Sequence, residues 1–352
     1  MKMKDNILKI IVPVISIIIA FVIGGIIILA LGKNPLEAYG FLLTGSFGSA
    51  QRIAQTLEGA CPLIFTGLAA TFAYKCGVIN LGAEGQFIMG AVASIAFIQL
   101  SGMTGVAAII ISLLLGTLAG GFWGMIPGAL KVTRGLNEII VSIMLNYVAT
   151  LFMGYVFTDF LREGNTPQTA AIPDSTKLPN IAEGLRAHIG IVIAIVVALL
   201  IFYFLNYTSK GFQLRAVGMN AMAAKFNGFA NNKLMLFSFI VSGAVAGLGG
   251  AIELHGKQFR LLQGFGSGFG FDGVAIALIA QLNPIATVIV GLFFAILRKG
   301  SSALQTGMSI PTSVVDIIQA LIIVFAVAGT ALLRLPQVQQ FIDRVGKPKK
   351  EA

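Results

Sequence analysis

The sequence predicts an all-α polytopic membrane protein with about ten transmembrane helices, and three observations carry that prediction. Of its 352 residues 57% are hydrophobic and 11% are charged, against about 25% charged in an ordinary soluble domain. A chain so poor in charge has no polar coat unless lipid is its solvent. The apolar residues gather into stretches near the ~20 residues a helix needs to cross a bilayer. Lys and Arg collect between those stretches rather than on one face of them. That distribution fits loops retained in the cytoplasm, and it excludes nucleic-acid binding as the reason for the net charge of +10. The 42 glycines fit helices in close backbone contact.

The first apolar segment, Ile7 to Leu31, follows Lys2 and Lys4 and contains Lys9. At about 25 residues it is too long for a signal-peptide core, and no small-x-small cleavage site follows. It reads as a retained helix over 8–31, with residues 1–7 in the cytoplasm. Further spans are predicted over 57–74, 86–101, 104–130, 138–158, 189–206, 234–254, 273–282, 284–304 and 313–332. The stretch 273–282 is short for a crossing and Pro284 follows at once, so it reads as a half-helix or a re-entrant segment. Ten crossings place both termini inside. The region 8–332 forms a single transmembrane domain, and no soluble domain is predicted.

Loop charge sets the orientation. The 206–233 loop carries Lys210, Arg215, Lys225 and Lys233 and no acid; the tail 333–352 carries Arg334, Arg344, Lys347, Lys349 and Lys350 against Asp343 and Glu351. Both read as cytoplasmic. The 159–188 loop has Asp159, Glu163, Asp174 and Glu183 against Arg162, Lys177 and Arg186, and reads as extracellular. Its Pro167, Pro173 and Pro179 predict an extended surface loop. Arg298 and Lys299 stand against this orientation if the ninth span runs outward.

Asn80-Leu-Gly-Ala-Glu-Gly-Gln86 and Gly270-Phe-Asp-Gly273 each place an acid before Gly at the mouth of an apolar span. The topology puts them on opposite sides, as an inverted repeat would; chance similarity is the alternative.

Several chemistries are excluded. No G-x-x-x-x-G-K-[ST] occurs, so no ATP site is recognisable in this chain. His188 and His255 fall on separate loops, and neither H-E-x-x-H nor G-x-S-x-G is present. No catalytic group set, metal site or resident cofactor is predicted. Cys61 and Cys76 read as small buried fillers rather than a disulfide.

The most informative polar segment runs Arg215-Ala-Val-Gly-Met-Asn-Ala-Met-Ala-Ala-Lys-Phe-Asn-Gly228. Ala221 to Phe226 favours a helix, Asn220 suits its N-cap, and Gly228 suits its end. The product is a short cytoplasmic helix with small residues and basic flanks. It is either a basic topogenic loop or a knob that docks on a soluble partner, with Arg215, Gly218, Asn220, Ala224 and Gly228 as the docking surface.

Four ordered stretches carry a resemblance. Gly77-Val-Ile-Asn-Leu-Gly-Ala-Glu-Gly-Gln86 resembles the signature of the branched-chain amino acid/ribose-type ABC permease family. Asn137-Glu-Ile-Ile-Val-Ser-Ile-Met-Leu-Asn-Tyr147 resembles its nucleoside (simple sugar/nucleoside) branch. The 215–228 stretch resembles its ATPase-coupling segment, and Gly268-Phe-Gly-Phe-Asp-Gly-Val-Ala-Ile-Ala-Leu278 resembles the segment before its late helices. The resemblance spans about 55–332. It implies a multi-pass subunit of the bacterial cytoplasmic membrane, with ten helices in inverted repeats. ATP and Mg would be bound by a partner ATPase. A second permease would form a heterodimer with this chain, and an extracytoplasmic substrate-binding lipoprotein would deliver a nucleoside or sugar.

Polar residues in or beside the spans are the candidates for the substrate path: Asn80, Glu84, Gln86, Asn137, Glu138, Asn146, Asp272, Gln281 and Asn283. Such groups usually face protein or a water-filled cavity, and amides and carboxylates suit ribose hydroxyls and base edges. Each has another reading. Glu84, Asp272, Asn137 and Glu138 stand where they would cap a helix start, and Asn146 would serve equally as a helix–helix hydrogen bond. An ion-coupled secondary transporter, with Glu138 or Asp316 as its titrating carboxylate, is the alternative to an ATP-driven importer.

Overall fold

The computed structural model describes residues 2–332 apart from Glu183 and Ser267, with side chains described from Val14 to Gly329. The basic tail 333–352, the acid Glu183 and the side chains of Lys2, Lys4 and Lys9 lie outside the described residues. Among the described residues all regular structure is helical, with isolated bridges only in loops.

The chain divides into two compact units, Met1–Gly48 with Leu297–Ala352, and Ser49–Ile296. The first unit holds α1 (Lys2–Ala30), α2 (Pro35–Phe47), the second half of α12 (Pro284–Met308) and α13 (Ser313–Leu332). Gly24 of α1 lies so near α13 that a Cβ there would sit 2.5 Å from the Ile318 side chain. The chain then turns by 115° into α2. Asn34 caps α2 by accepting from the Leu36 N–H at 3.0 Å, Pro35 supplies its first turn, and the Tyr39 hydroxyl donates to the Phe21 carbonyl. The sequence reading placed a loop here. At 13 residues α2 is well short of the spanning length that defined the predicted elements, although Asn34-Pro35 is a local start signal.

The second unit holds α3 (Ala50–Lys75), α4 (Ala83–Ser101), α5 (Gly105–Arg134), α6 (Glu138–Tyr155), α7 (Gly190–Tyr207), α8 (Ser209–Met219), α9 (Ala221–Phe226), α10 (Asn231–Glu253), α11 (Phe269–Ile279) and the first half of α12. π turns over Val156–Phe160 and Leu254–Gln258 extend α6 and α10. Helix α10 packs against α3, α4 and α5. Its seam is glycine. A Cβ on Gly120 of α5 would sit 2.4 Å from the Gly243 carbonyl oxygen, one on Gly247 2.5 Å from that of Gly116, and one on Gly90 of α4 2.2 Å from that of Gly247. In lipid, where apolar faces gain little by leaving solvent, such backbone contact is the main source of helix association.

Among the described residues, seven helices are long and apolar enough to cross a membrane: α3, α4, α5, α7, α12, and α6 and α10 with their π turns. The bent α1–α2 pair adds an eighth, and α11 and Ser313–Gly329 are shorter apolar helices. Helix α3 starts seven residues before its predicted span because Ser49 caps it, accepting from the Arg52 N–H at 3.2 Å.

The helix expected over Ala221–Phe226 stands as α9, with Asn220 extended (φ −158°, ψ 99°) as its cap; the preceding helix α8, Ser209–Met219, was not expected. Two expectations are corrected. The proline-containing 159–188 loop does not lie extended on the surface throughout: Thr169, Ile172 and Thr176 are buried. Its backbone pairs with the segment after α10, with Ile172 N–H on Phe259 O at 2.8 Å and Leu178 N–H on His255 O at 2.9 Å. The prolines stop helix formation, but the apolar side chains between them still bury. His255 is not on a loop but in the π turn that ends α10. Cys61 and Cys76 are free and buried.

Candidate substrate path and coupling site

A seven-residue connector, Cys76–Gly82, joins α3 to α4 and positions most of the candidate path residues. Asn80 is fully buried. Its Nδ2 donates to Gln86 Oε1 at 3.0 Å and to Ser242 Oγ at 2.9 Å. Its Oδ1 accepts from the Gly82 N–H at 2.9 Å and from Gln86 Nε2 at 3.1 Å. Both donors and both lone pairs of the amide are therefore in use. Ser242 passes its own proton to the Ala69 carbonyl at 2.7 Å. Asn146 of α6 donates to the Leu81 carbonyl at 2.8 Å and accepts from the Gly85 N–H at 2.9 Å. Asn80, Gln86 and Asn146 thus form one cluster. In this conformation they hold the connector and the first turn of α4 to α10 and α6.

Glu84 and Asp272 meet at a second place. Gly270 lies against Glu84, where a Cβ would come within 2.4 Å of its backbone nitrogen, and the Glu84 carboxylate lies on the Gly268 N–H. The starts of α4 and α11 face each other, each with an acid in its first turn. The two acid–Gly starts that echo each other in sequence are neighbours in space.

The remaining candidates sit at helix starts. Asn137 caps α6, accepting from the Ile139 N–H at 2.9 Å. Glu138 pairs with Lys131 across the α5–α6 turn and lies beside Ile79 of the connector. Asn283 accepts from the Ile285 and Ala286 N–H groups and so caps α12. Gln281 lies in the turn before it, with φ at 52°. The structure does not bring Gln281 and Asn283 into either cluster.

Two buried groups escaped the sequence reading. Thr71 and Thr287 share a hydrogen bond at 3.0 Å. His255 has Nδ1 2.7 Å from the Thr176 carbonyl, which fixes the proton on that nitrogen; its Nε2, with one lone pair to offer, lies 2.7 and 3.1 Å from the hydroxyls of Ser112 and Ser94. That ring ties the 159–188 loop to α4 and α5. The partners are 79 to 161 residues apart, so no local pattern announces them.

The basic 206–233 segment forms α8 and α9. Thr208 caps α8 through the Gly211 N–H, and Asn220 caps α9 through the Ala223 N–H, both at 3.0 Å. Gly228 ends α9 with φ at 78°, and Asn231 donates to the Ala221 carbonyl at 2.6 Å. Ala224 is buried, so its methyl group supports the elbow from within. Gly218 lies against α3, where a Cβ would come within 2.2 Å of the Lys75 carbonyl oxygen. The side chains left outside are Met219, Met222 and Phe226, at 88%, 66% and 86% exposure. Beside them a groove of about 390 Å³ is lined by Phe212, Arg215, Met219, Asn220 and Phe229 among others. The small residues singled out from sequence are thus the seat of the elbow, and the large apolar ones its face.

Residues 52–327 match the family described as branched-chain amino acid transport system / permease component. The chain belongs to this family. The match takes in α4 to α11 whole, with both clusters and the α8–α9 elbow, and identifies a multi-pass subunit of the bacterial inner membrane. Relatives of this permease extend over nearly its whole length. The guanosine ABC transporter permease protein NupP of Bacillus subtilis is 32% identical, covering 94% of this chain and 96% of the relative. The nucleoside ABC transporter permease protein NupB of Lactococcus lactis is 32% identical, covering 92% of each. The glucose ABC transporter permease protein TsgB13 of Haloferax volcanii is 34% identical, covering 90% and 87%. No solved structure matches the permease.

Proposed function

We propose that this permease is one of two unlike membrane subunits of an ATP-driven importer for nucleosides, and that the α8–α9 elbow receives the push of a separate ATPase. The observation that carries the reading is the elbow itself. Two helices, each capped by its own residue, present Met219, Met222 and Phe226 to the outside, with Lys210, Lys225 and Lys233 around them. An exposed apolar patch with a polar rim marks a protein contact, and short capped helices move as rigid pieces where a loop would yield. NupP and NupB point to nucleosides as cargo. Each has a second permease relative in its own organism, NupQ and NupC, which supports an unlike pair. TsgB13 keeps a simple sugar as the second reading.

The reading includes ten crossings: the seven long helices, the α1–α2 pair, α11 and α13. Both termini and the 206–233 segment lie in the cytoplasm, and the 159–188 loop lies outside, where a substrate-binding lipoprotein delivers the ligand. The facing starts of α4 and α11, each an acid followed by Gly, support an inverted repeat with the path at its middle. There Glu84 and Asp272 offer hydrogen-bond acceptors to ribose hydroxyls, while ATP and Mg stay with the partner. Glu138, held by Lys131, is a poor titrating site for an ion-coupled carrier.

The complex in proteoliposomes is expected to accumulate labelled guanosine only with ATP, and excess adenosine or uridine to compete better than glucose or ribose. Stronger competition by the free sugars selects the sugar reading. ATP-independent accumulation by the purified chain alone overturns the ATP-driven reading.

A further inference from the structure

The contacts of the Cys76–Gly82 connector point to a role that neither cluster shows alone. At its start, Gly77 and Gly218 meet backbone to backbone: a Cβ on Gly77 would lie 3.0 Å from Gly218 Cα, and one on Gly218 2.2 Å from Lys75 O. At this contact backbone meets backbone, so no side-chain rotamer stands between Gly77 and Gly218 to absorb a displacement. In the middle, Ile79 lies beside Glu138, which Lys131 holds at the α5–α6 turn. At its end, Asn80 is tied to Gln86 of α4 and Ser242 of α10, and Asn146 of α6 grips Leu81 and Gly85 together. Two residues further, Glu84 faces the start of α11.

We infer that this connector is the mechanical relay of the transporter: it carries displacement of the α8–α9 elbow to the facing starts of α4 and α11, with Gly218 and Asn80 as positioning residues at its two ends. The inference rests on the reading that the ATPase docks on the elbow, and deepens it. The relay is a chain of contacts in series. The buried Asn80 amide, with both donors and both acceptor positions in use, moves with its partners or must break a bond to them. Gly218 at one end tolerates no Cβ, and Asn80 at the other has no spare hydrogen-bonding position.

The test uses the whole complex, with four readouts: copurified ATPase, ATP hydrolysis, guanosine taken up per ATP, and hydrogen exchange of residues 78–85 with and without ATP and vanadate. Gly218→Ala, Asn80→Ala and the milder Ser242→Ala are compared with the double variant Gly218→Ala/Asn80→Ala. A merely structural role lowers assembly, hydrolysis and uptake together and leaves the ratio unchanged. The relay predicts that the ATPase stays bound and hydrolysis persists while uptake per ATP falls on the order of tenfold, as when a contact within one coupled network is lost. It also predicts that the nucleotide-dependent change in exchange over 78–85 disappears, whatever the cargo. The double variant should be no worse than the poorer single one, since both break the same series. Phe226→Asp on the outer face checks the docking separately and should release the ATPase. If Phe226→Asp releases it while Ser242→Ala and the assembled Gly218 and Asn80 variants keep the wild-type ratio and exchange change, the relay is wrong and the docking stands. If Phe226→Asp leaves the ATPase bound and uptake intact, the docking reading falls, and the relay with it.

Discussion

At the scale of single residues, a buried polar atom must have a use. His188 is buried, its Nδ1 accepts from the Gly190 N–H at 3.1 Å, and its ring lies on Gly256. The neutral ring therefore carries its proton on Nε2, which has no hydrogen-bond partner. Burial pushes its pKa down to about 4, and the Lys257 charge adds to the effect. Between the unfolded value near 6.5 and the folded value near 4, the unfolded chain binds the extra proton and the folded one does not. Stability from this residue is thus complete above about pH 6.5 and is lost as pH falls toward 4, by about 3 kcal/mol in all. His188→Gln should flatten that part of the curve. The check is thermal unfolding of the detergent-solubilised protein at pH 7.5 and 5: an equal drop in both proteins would assign the acid sensitivity elsewhere. The caps show what is legible at this scale. Asn220 before Ala221–Phe226 is a local arrangement, and the helix stands where the sequence placed it. The partner of Asn80, 162 residues away in Ser242, leaves no trace in either neighbourhood.

Between elements, the glycine seam separates two kinds of glycine that composition cannot tell apart. Gly120 of α5 and Gly247 of α10 stand against backbone carbonyls, which cannot swing aside, whereas Gly59 of α3 and Gly154 of α6 have open space around the Cβ position. Gly120→Ala and Gly247→Ala should each cost about 3 kcal/mol or more through overpacking. Gly59→Ala and Gly154→Ala should be neutral or gain up to about 1 kcal/mol from helix propensity. Size-exclusion profiles after a heating series would show the contrast, and equal tolerance of all four substitutions would refute the seam. The short helix α2 was not read because the spanning length was the criterion. Of the elbow, α9 is legible because Asn220 and Ala221–Phe226 form a local cap-and-helix pattern, whereas α8 carries no apolar stretch of spanning length.

For the whole molecule, the proposed energy source is another chain. Uptake should require the ATPase and follow its hydrolysis, and the permease alone in vesicles should do no more than dissipate a gradient. The membrane class and the order of apolar segments were legible because lipid demands long apolar stretches, whatever packs against them. The docked 159–188 loop was not, because its buried residues are few and their partners lie beyond α10.

The sequence alone determined the solvent of this protein, the order of its apolar segments, and the kind of transporter it resembles. Those depend on hydropathy and on short motifs, all set within a few residues. Tertiary structure alone decided which polar groups serve one another: the Asn80–Gln86–Ser242 cluster, the facing starts of α4 and α11, and the seat of Gly218 on the end of α3. Hydrogen bonds and backbone contacts across the fold are fixed by distance in space, which a linear order of residues does not contain.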